Sequence, residues 1–339
     1  MMKQALIICI CLLLFANCSQ QNDTETAQQT TPTENDQNGL IPIIIDTDAN
    51  NELDDQHAMA YLFFNEDIFN TIGVTVNATR SGGPINQQVA EAERVMKLTG
   101  VMNQIPLLPG ANGNFEDIRS NLDQAEYDGQ AAVEFIIEEA QKPRDQKLIL
   151  LPVGKLTNIA LALEKAPDIK ENVRIVWLGS NYPEPGEYNQ ENDIPSLNYI
   201  LNQDVPFEIV MVRYGEPSGS DAVRATPTEI EENMPGSGPE VDSVTGRHGG
   251  EFTNFGDYSV NLFSEIELHG DPPSRALFDM VAVAILKNPD WGETNEIPAP
   301  MLDGEDWEER PNNERTITIW ENFDKEAILE DFYSTMKSE

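Results

Sequence analysis

Short apolar runs alternate with segments of helical spacing along most of the chain. Residues 41–45 (IPIII) form a continuous apolar run with a Pro near its start, which is typical of a strand covered on both faces. Further runs of this kind predict strands at residues 71–76, 148–151, 175–178 and 207–212. The alternation of such runs with helical segments predicts an α/β fold: an open, mostly parallel sheet with flanking helices and right-handed crossovers.

The helical segments have recognisable ends. Pro84 is suited to the first turn of a helix that runs to about Thr99 and is closed by Gly100. Apolar spacing predicts further helices at residues 133–140, 156–166, 252–266, 275–286 and 324–336. Residues 215–250 predict loops with one short helix, residues 290–315 an irregular segment, and residues 316–320 a strand. We find no repeat and no clean boundary, so residues 40–339 are expected to form one domain, in which residues 290–339 carry no functional prediction.

The first 17 residues have the pattern of an export signal. Lys3 supplies a positive charge, and residues 5–16 form an apolar stretch too short to span a bilayer. The stretch ends at Phe15-Ala16-Asn17-Cys18, which resembles the processing site of bacterial lipoproteins, although Asn17 is not the usual small residue. We therefore expect an exported protein that is anchored to the bacterial cell envelope through a lipidated Cys18. The alternative is an ordinary secretion signal with an unrelated Cys.

The residues after this segment are almost entirely polar. Residues 18–39 contain too little apolar surface to offset the entropy of ordering, so we expect a flexible tether. The three cysteines are Cys9, Cys11 and Cys18, of which only Cys18 would remain after processing. That count excludes a disulfide, a cysteine nucleophile and a thiolate metal site from the mature domain.

The overall charge excludes one class of partner. The 339 residues carry a formal net charge of -38, and the isoelectric point is about 4.1. Nucleic-acid binding needs a basic face, and this surface would repel a phosphate backbone. Most of the acidic residues are expected to form a solvated surface, but some could cluster around a cation.

One acidic cluster stands out at the end of the first predicted strand. The segment at residues 46–55 reads DTDANNELDD, so four Asp carboxylates fall within ten residues. Ligands of open α/β sheets bind at the carboxyl ends of the strands. The four carboxylates would repel one another unless a hard cation with oxygen ligands bound there, and Ca²⁺ suits a roomy, irregular site. The alternative is an ordinary loop with a helix-capping Asp.

This segment resembles the opening motif of the inosine-uridine preferring nucleoside hydrolases, which have Asp-x-Asp, a short turn and an Asp-Asp pair. Further similar segments follow in the same order, and the resemblance covers roughly residues 40 to 290. They are Asn77 after the second strand, the turn at residues 151–158 (LPVGKLTN), Glu187-Tyr188-Asn189, and Asp279 at the start of a late apolar helix.

The resemblance implies specific roles for these residues. It implies a calcium site made by Asp48, Asp55, Asp279 and the main-chain carbonyl of Val153. It implies that the ribose hydroxyls bind to Asp54, Asn77, Glu187 and Asn189. Asp48 would also be the general base for the attacking water, while Asp46 would support the loop from behind.

Two features depart from the family pattern. The turn between Asp48 and Asp54 is two residues longer, and Asn50 stands where Gly is usual. Phe278 precedes Asp279, where purine-nucleoside members often have a His that protonates the leaving base. Phe278 cannot transfer a proton, so either the leaving group needs no acid or another residue supplies it.

Several side chains remain candidates for the leaving-group side. His248, in a Gly-rich segment, could contact the leaving group or be an exposed loop residue. His57 is expected to be structural and His269 to lie in a turn. Tyr188 or Tyr258 could stack on a base, although core packing is the more ordinary role.

The leading hypothesis is therefore a calcium-dependent hydrolase of the N-glycosidic bond of a ribonucleoside or related riboside. Two alternatives stay open: a hydrolase of a different N- or O-glycoside on the same scaffold, and a non-catalytic lipoprotein that binds a sugar or nucleoside. Family members are often dimers or tetramers, so a homo-oligomer is also an open expectation.

Overall fold

The computed structural model describes residues 39–337. The predicted export signal, Cys18 and all but the last residue of the predicted tether lie outside the described residues. Within them, the strands are β1 (Ile41–Thr47), β2 (Phe69–Val76), β3 (Leu107–Pro109), β4 (Leu148–Pro152), β5 (Val173–Gly179), β6 (Phe207–Met211), β7 (Arg224–Ala225), β8 (Val244–Thr245), β9 (Glu251–Phe252), β10 (Arg275–Ala276), β11 (Glu293–Pro298), β12 (Met301–Asp303), β13 (Asp306–Glu308) and β14 (Thr316–Glu321).

The α-helices alternate with these strands. They are α1 (Asp54–Phe63), α2 (Ile85–Leu98), α3 (Phe115–Ile118), α4 (Gln130–Gln141), α5 (Thr157–Lys165), α6 (Tyr188–Asn192), α7 (Ile194–Leu201), α8 (Pro227–Asn233), α9 (Phe255–Glu265), α10 (Phe278–Lys287) and α11 (Lys325–Lys337). The boundaries of the predicted helices agree with these to within a few residues, and α8 is the short helix expected between residues 215 and 250.

Eight of the described strands form the central sheet, in the order β11-β14-β6-β5-β4-β1-β2-β3. Every neighbouring pair is parallel except β11 and β14. The strand order reverses next to β1, because β2 and β3 lie on one side and β4 on the other. A reversal of this kind opens a crevice at the carboxyl ends of the strands, where ligands bind. The predicted fold class is confirmed.

The apolar run of β1 explains how the sheet is covered. Ile43 and Ile45 pack into the core on one face together with α1, α2, α9, α10 and α11. Ile44 points to the other face, where α4, α5 and α7 cover it. All three side chains are fully buried. A strand buried on both faces has no polar face to show, so its sequence reads as a continuous apolar run.

The expectation of an irregular segment at residues 290–315 is wrong. Glu293–Pro298 forms β11, an antiparallel strand at the edge of the main sheet, and β12 and β13 form a small hairpin. The first four residues of β11 are exposed, so the strand lacks the alternating apolar pattern that marks a half-buried strand. The short strand β3 was also missed. Among the described residues, no helix is long and apolar enough to cross a membrane.

Candidate active site

A cavity of about 410 Å³ lies at the carboxyl ends of the central strands. The residues after β1, β4, β5 and β6 all contribute to its wall, as does the N-terminus of α10. The acidic and apolar residues that line it include Asp48, Glu52, Asp54, Asp55, Val153, Leu178, Glu187, Val212, Asp221, Phe278 and Asp279. The remaining lining is formed by Asn51, Tyr188, Asn189, Tyr214, Arg224, His269, Arg275 and Ala276.

Asp46 supports the cavity from behind and does not line it. Its carboxylate is fully buried at the end of β1. It accepts hydrogen bonds from Thr75 Oγ1 and Asn77 Nδ2, both at 2.6 Å, and from Asn158 Nδ2 at 2.7 Å. These three donors belong to β2, the segment after it and α5, so Asp46 ties the three elements together where β1 ends. The placement agrees with the supporting role that the resemblance implies for Asp46.

Asp48 lies at the inner wall of the cavity. Thr79 donates a hydrogen bond to its Oδ2, while its Oδ1 lies close to the backbone of Gly154. A Cβ atom at Gly154 would lie 2.6 Å from that Oδ1 and 2.9 Å from the amide of Asn77, so only Gly leaves room there. Burial raises the pKa of Asp48 to about 7, and the nearby charges of Asp46 and Glu187 add to the rise.

Three more carboxylates meet where two helices begin. Asp54 and Asp55 are the first residues of α1, Asp279 is the second residue of α10, and the two helices pack against each other. One carboxylate oxygen from each of the three lies within 4.8 Å of the others. Burial raises the pKa of Asp54 to about 7 and raises the pKa values of Asp55 and Asp279 well above their usual range, and repulsion within the acidic group adds to this. The N-terminal helix dipoles favour negative charge here, but they do not supply a counter-ion.

The opposite wall comes from β4, β5 and α6. The Asn189 amide donates to the carbonyl of Val153 at 2.8 Å and to that of Leu178 at 3.2 Å. Glu187 caps α6, and its carboxylate accepts hydrogen bonds from the backbone N–H groups of Ser180, Asn189 and Gln190. Burial raises the pKa of Glu187 despite these bonds. The network fixes the orientation of both polar side chains toward the cavity.

The long turn between Asp48 and Asp54 is held from outside. The backbone N–H of Asn50 donates to Gln88 Oε1 at 2.6 Å, and the Asn50 side chain donates to the Gly82 carbonyl at 2.6 Å. Arg247 donates to the Glu52 carbonyl at 2.8 Å, and Arg275 forms an ion pair with the Glu52 carboxylate. The extra residues are therefore anchored at the rim of the cavity, away from the carboxylates.

The side of the cavity beside Phe278 contains residues that sequence reasoning missed. The Phe278 and Tyr214 rings meet edge to face, with their centroids 5.8 Å apart and an interplanar angle of 86°. Arg224 and Arg275 come from the paired strands β7 and β10. Tyr214 follows β6 at the same edge of the sheet as the predicted residues. The sequence feature that could have indicated Tyr214 is its position just after the strand predicted at residues 207–212.

Two of the predicted site residues do not line the cavity. Asn77 lies behind it, and its Oδ1 is buried without a hydrogen-bond partner among the described residues. His248 is exposed in the turn between β8 and β9, which a hydrogen bond from Gly246 N–H to the Gly250 carbonyl closes, and it is not part of the cavity lining. The structure therefore does not bring His248 to the leaving-group side, and the neighbouring Arg247 is the residue that reaches the turn of the acidic motif.

The other candidate side chains have clear positions. His57 is buried in α1, with Nδ1 2.5 Å from the Leu53 carbonyl and Nε2 2.7 Å from Ser259 Oγ. Burial lowers the pKa of His57 to about 4, so it is neutral and structural. Tyr258 is a core residue whose hydroxyl donates to Glu91. His269 lies in a turn as expected, but this turn also borders the cavity.

The donor set fits a hard divalent cation. It consists of buried carboxylates and a main-chain carbonyl, which are the oxygen ligands that Ca²⁺ takes in proteins. Asp54, Asp55 and Asp279 have no ion-pair partner among the described residues, so their charges are uncompensated. Buried carboxylates in this arrangement either bind protons, as the raised pKa values indicate, or bind a cation.

Comparison with known proteins gives one family and one fold. The family model for inosine-uridine preferring nucleoside hydrolases matches residues 43–330. An uncharacterized protein of Schizosaccharomyces pombe is 28% identical over 196 residues, which are 51% of this chain and 60% of that relative. The chain thus spans somewhat less than two thirds of the curated relative that it matches.

Solved structures share the architecture. A plant nucleoside hydrolase matches with a TM-score of 0.68 at 15% identity, over 88% of this chain and 99% of that one. A purine-preferring ribonucleoside hydrolase from Gardnerella vaginalis matches with a TM-score of 0.62 at 20% identity, over 88% and 98%. An inosine-uridine preferring nucleoside hydrolase from Bacillus anthracis matches with a TM-score of 0.63 at 13% identity, over 88% and 100%. At such identities these structures show the fold alone.

Proposed function

The chain belongs to the inosine-uridine preferring nucleoside hydrolase family. From this premise we propose that it hydrolyses N-glycosidic bonds as a Ca²⁺-dependent ribosidase in which Asp48 activates water. The observation that carries the proposal is the meeting of Asp54, Asp55 and Asp279 beside Asp48 in one cavity. A hydrolase needs the acidic group for two tasks: to hold a sugar with its nucleophile, and to stabilise positive charge on that sugar.

We assign the cation to Asp48, Asp55, Asp279 and the Val153 carbonyl. Asp54 lies within the same group of carboxylates, so it can reach either the cation or the sugar. When bound, Ca²⁺ would bring the water and the sugar hydroxyls together and lower the cost of ionising the surrounding carboxylates. Asn189 fixes the Val153 carbonyl through a hydrogen bond, and the second lone pair of that oxygen is available to a ligand.

Asp48 is positioned to accept the proton of the attacking water. Thr79 holds one carboxylate oxygen, and Gly154 leaves open space beside the other. General-base help of this kind typically contributes roughly 10²–10⁴-fold to the rate. Cleavage of the bond to C1′ develops positive charge on the ribose ring, and the carboxylates around the cavity stabilise that charge electrostatically.

Glu187 and Asn189 would bind the ribose hydroxyls from the opposite wall. Both are oriented by backbone contacts, so little side-chain entropy is lost when a sugar binds. In this assignment Asn77 lies behind the wall, where its amide donates to Asp46 and lies beside Gly154. Its buried Oδ1 is the one predicted sugar contact that needs a small rearrangement to reach a ligand.

Direct assays test this proposal. The chain should release ribose from inosine, uridine, nicotinamide riboside or p-nitrophenyl ribofuranoside, and EDTA should abolish the release until Ca²⁺ is restored. Asp48→Ala should remove the activity, while the matched surface variant Glu138→Ala should retain it, because Glu138 is exposed and far from the cavity. Sugar binding without release from any riboside would instead favour the non-catalytic alternative.

The export and anchoring predictions are separate proposals. We propose that Cys18 carries the lipid and that the domain is tethered to the cell envelope through residues 18–39. Cell fractionation of Cys18→Ser tests this, because the variant should leave the membrane fraction. A variant that remains membrane-bound would contradict it. Homo-oligomerisation is likewise a proposal, which sedimentation of the full chain would test.

A further inference from the structure

Tyr214 is unusual among the large apolar side chains that the structure describes. Its residue surface is 46% exposed, which singles it out as the exposed large hydrophobic of the described chain. It nevertheless lines the cavity, and its ring contacts that of Phe278. The hydroxyl end lies inward, where burial and the nearby charge of Glu187 raise its pKa. An exposed aromatic face in the cavity that contains the acidic group is a candidate ligand-binding surface.

The backbone around Tyr214 is built to hold this position. Arg213 adopts a left-handed conformation with φ of 47°, which is unfavourable for a residue with a side chain. Its guanidinium contacts Glu321 and donates to Ser218 Oγ at 3.1 Å, and the N–H of Tyr214 donates to Asn181 Oδ1 at 3.0 Å. A strained residue that several contacts maintain is characteristic of a functional position.

Tyr188 also lines the cavity, but its ring and its hydroxyl both contact other protein groups. The Arg80 guanidinium lies 4.6 Å from the Tyr188 ring centroid, and the Tyr188 hydroxyl accepts from Ser81 N and lies 3.2 Å from Thr79 Oγ1. Tyr214 and Phe278 therefore form the open aromatic surface of the cavity. Phe278 adjoins Asp279, so this surface borders the acidic group.

The charges around this surface are predominantly negative. The two guanidinium groups of the lining are paired within the protein: Arg224 with Asp221 at 2.7 Å, and Arg275 with Glu52. The lining carboxylates without such a partner are Asp48, Asp54, Asp55, Glu187 and Asp279. One divalent cation would leave an excess of negative charge. An aromatic face in a negative cavity favours a flat cation, through cation–π attraction and long-range electrostatics.

We infer that Tyr214 and Phe278 bind the leaving group, and that the favoured substrates are ribosides of an N-linked pyridinium. This inference rests on the proposed function and deepens it. The C1′–N bond breaks and its electron pair returns to the ring nitrogen, so the pyridine leaves as a neutral molecule. Water adds to C1′ and gives up one proton to Asp48. No proton donor is needed at the leaving group, which agrees with an aromatic surface that carries Phe278 beside Asp279.

Binding and turnover test the inference separately. The first readout is calorimetric binding of 1-methylnicotinamide and of neutral nicotinamide to the full chain with Ca²⁺. The cation should bind at least about tenfold more tightly, and Tyr214→Leu should remove most of that difference. Tyr214→Phe should retain it because the ring remains. The control variant Tyr127→Leu, which removes an aromatic ring outside the cavity, should bind like the unaltered chain.

The second readout is the ratio of kcat/KM for nicotinamide riboside to that for inosine. The ratio should exceed about tenfold, and Tyr214→Leu should lower it about tenfold. Phe278→His adds a proton donor, so it should raise activity on inosine without raising it on the pyridinium. Equal binding of the two nicotinamides, or preference for inosine by the unaltered chain, would overturn the inference. If no riboside is cleaved at all, the proposed function fails, while the binding comparison still decides this inference.

Discussion

After divalent cations are removed, the free energy of unfolding of this protein should decrease as the pH rises. The cause is the buried acidic group, in which Asp48 and Asp54 each have a pKa of about 7 in place of 3.8. A raised pKa means that the folded protein holds a proton that the unfolded chain has lost. Between about pH 4 and pH 7 the unfolded state therefore binds fewer protons, and the free energy of unfolding decreases with pH. Above about pH 7 the contribution of Asp48 and Asp54 to this decrease ends.

The magnitude follows from the pKa of one group. A pKa of about 7 in place of 3.8 corresponds to about 4 kcal/mol between the protonated and ionised forms, at 1.36 kcal/mol for each pKa unit. Asp48 and Asp54 repel each other, so their contributions are not independent. For a domain of about 300 residues the entropy of unfolding is roughly 0.6 kcal/mol/K, so about 4 kcal/mol corresponds to a change in Tm of roughly 6 °C. A bound cation removes the cost, because it stabilises the ionised carboxylates.

Thermal unfolding by circular dichroism measures this directly. A group with a pKa of about 7 contributes about 2.7 kcal/mol of this cost between pH 5 and pH 7. The EDTA-treated chain should therefore melt roughly 4 °C lower at pH 8 than at pH 5, and Ca²⁺ should reverse the difference. The net charge of -38 also disfavours folding at high pH, but added NaCl screens exposed charges and leaves the buried group nearly unaffected. Asp48→Asn should reduce the difference, while Glu138→Gln, at an exposed position, should not. If the metal-free chain is as stable at pH 8 as at pH 5, the argument from buried repulsion is refuted.

Three further substitutions test particular contacts. Asp48→Asn should lower kcat by roughly 10²-fold or more while the fold is retained, because it keeps the shape and removes the base; unchanged kcat would exclude Asp48 as the base. Gly154→Ala places a methyl carbon 2.6 Å from Asp48 Oδ1, so it should lower activity more than it lowers Tm, as paired kinetic and melting measurements would show. Asp46→Leu leaves three buried donors without their acceptor and should destabilise the protein by several kcal/mol in urea titrations; a near-neutral effect would show that the donors find other partners.

Part of this structure could be predicted because it follows from local pattern. The run at residues 41–45 showed a strand buried on both faces, and the acidic segment after it marked the edge of the sheet where the cavity lies. Asp279 was predictable because the ordered resemblance placed it at the start of a late apolar helix, which is α10, and the same resemblance supplied its partner residues. The roles of these residues remain proposals, although their convergence in one cavity follows from the fold.

Other parts had no local signal. β11 lies at a sheet edge with its first four residues exposed, and its pairing with β14 depends on the tertiary structure. Tyr214 is placed by the left-handed Arg213 and by contacts with distant segments, none of which the neighbouring sequence reveals. His248 shows the opposite case, because its Gly-rich surroundings suggested a loop over the site, whereas the side chain is exposed and does not line the cavity.

The lengthened turn after Asp48 shows why the acidic group tolerates a departure from the family pattern. Asp48 is placed by the end of β1, and Asp54 by the start of α1, so the residues between them need only join two fixed points. The entropic cost of closing such a loop grows slowly with its length. The added residues are anchored outside the acidic group, through Asn50 and through Glu52, which pairs with Arg275. The insertion therefore leaves the proposed cation site intact, and it adds the paired Glu52 and Arg275 at the rim of the same cavity.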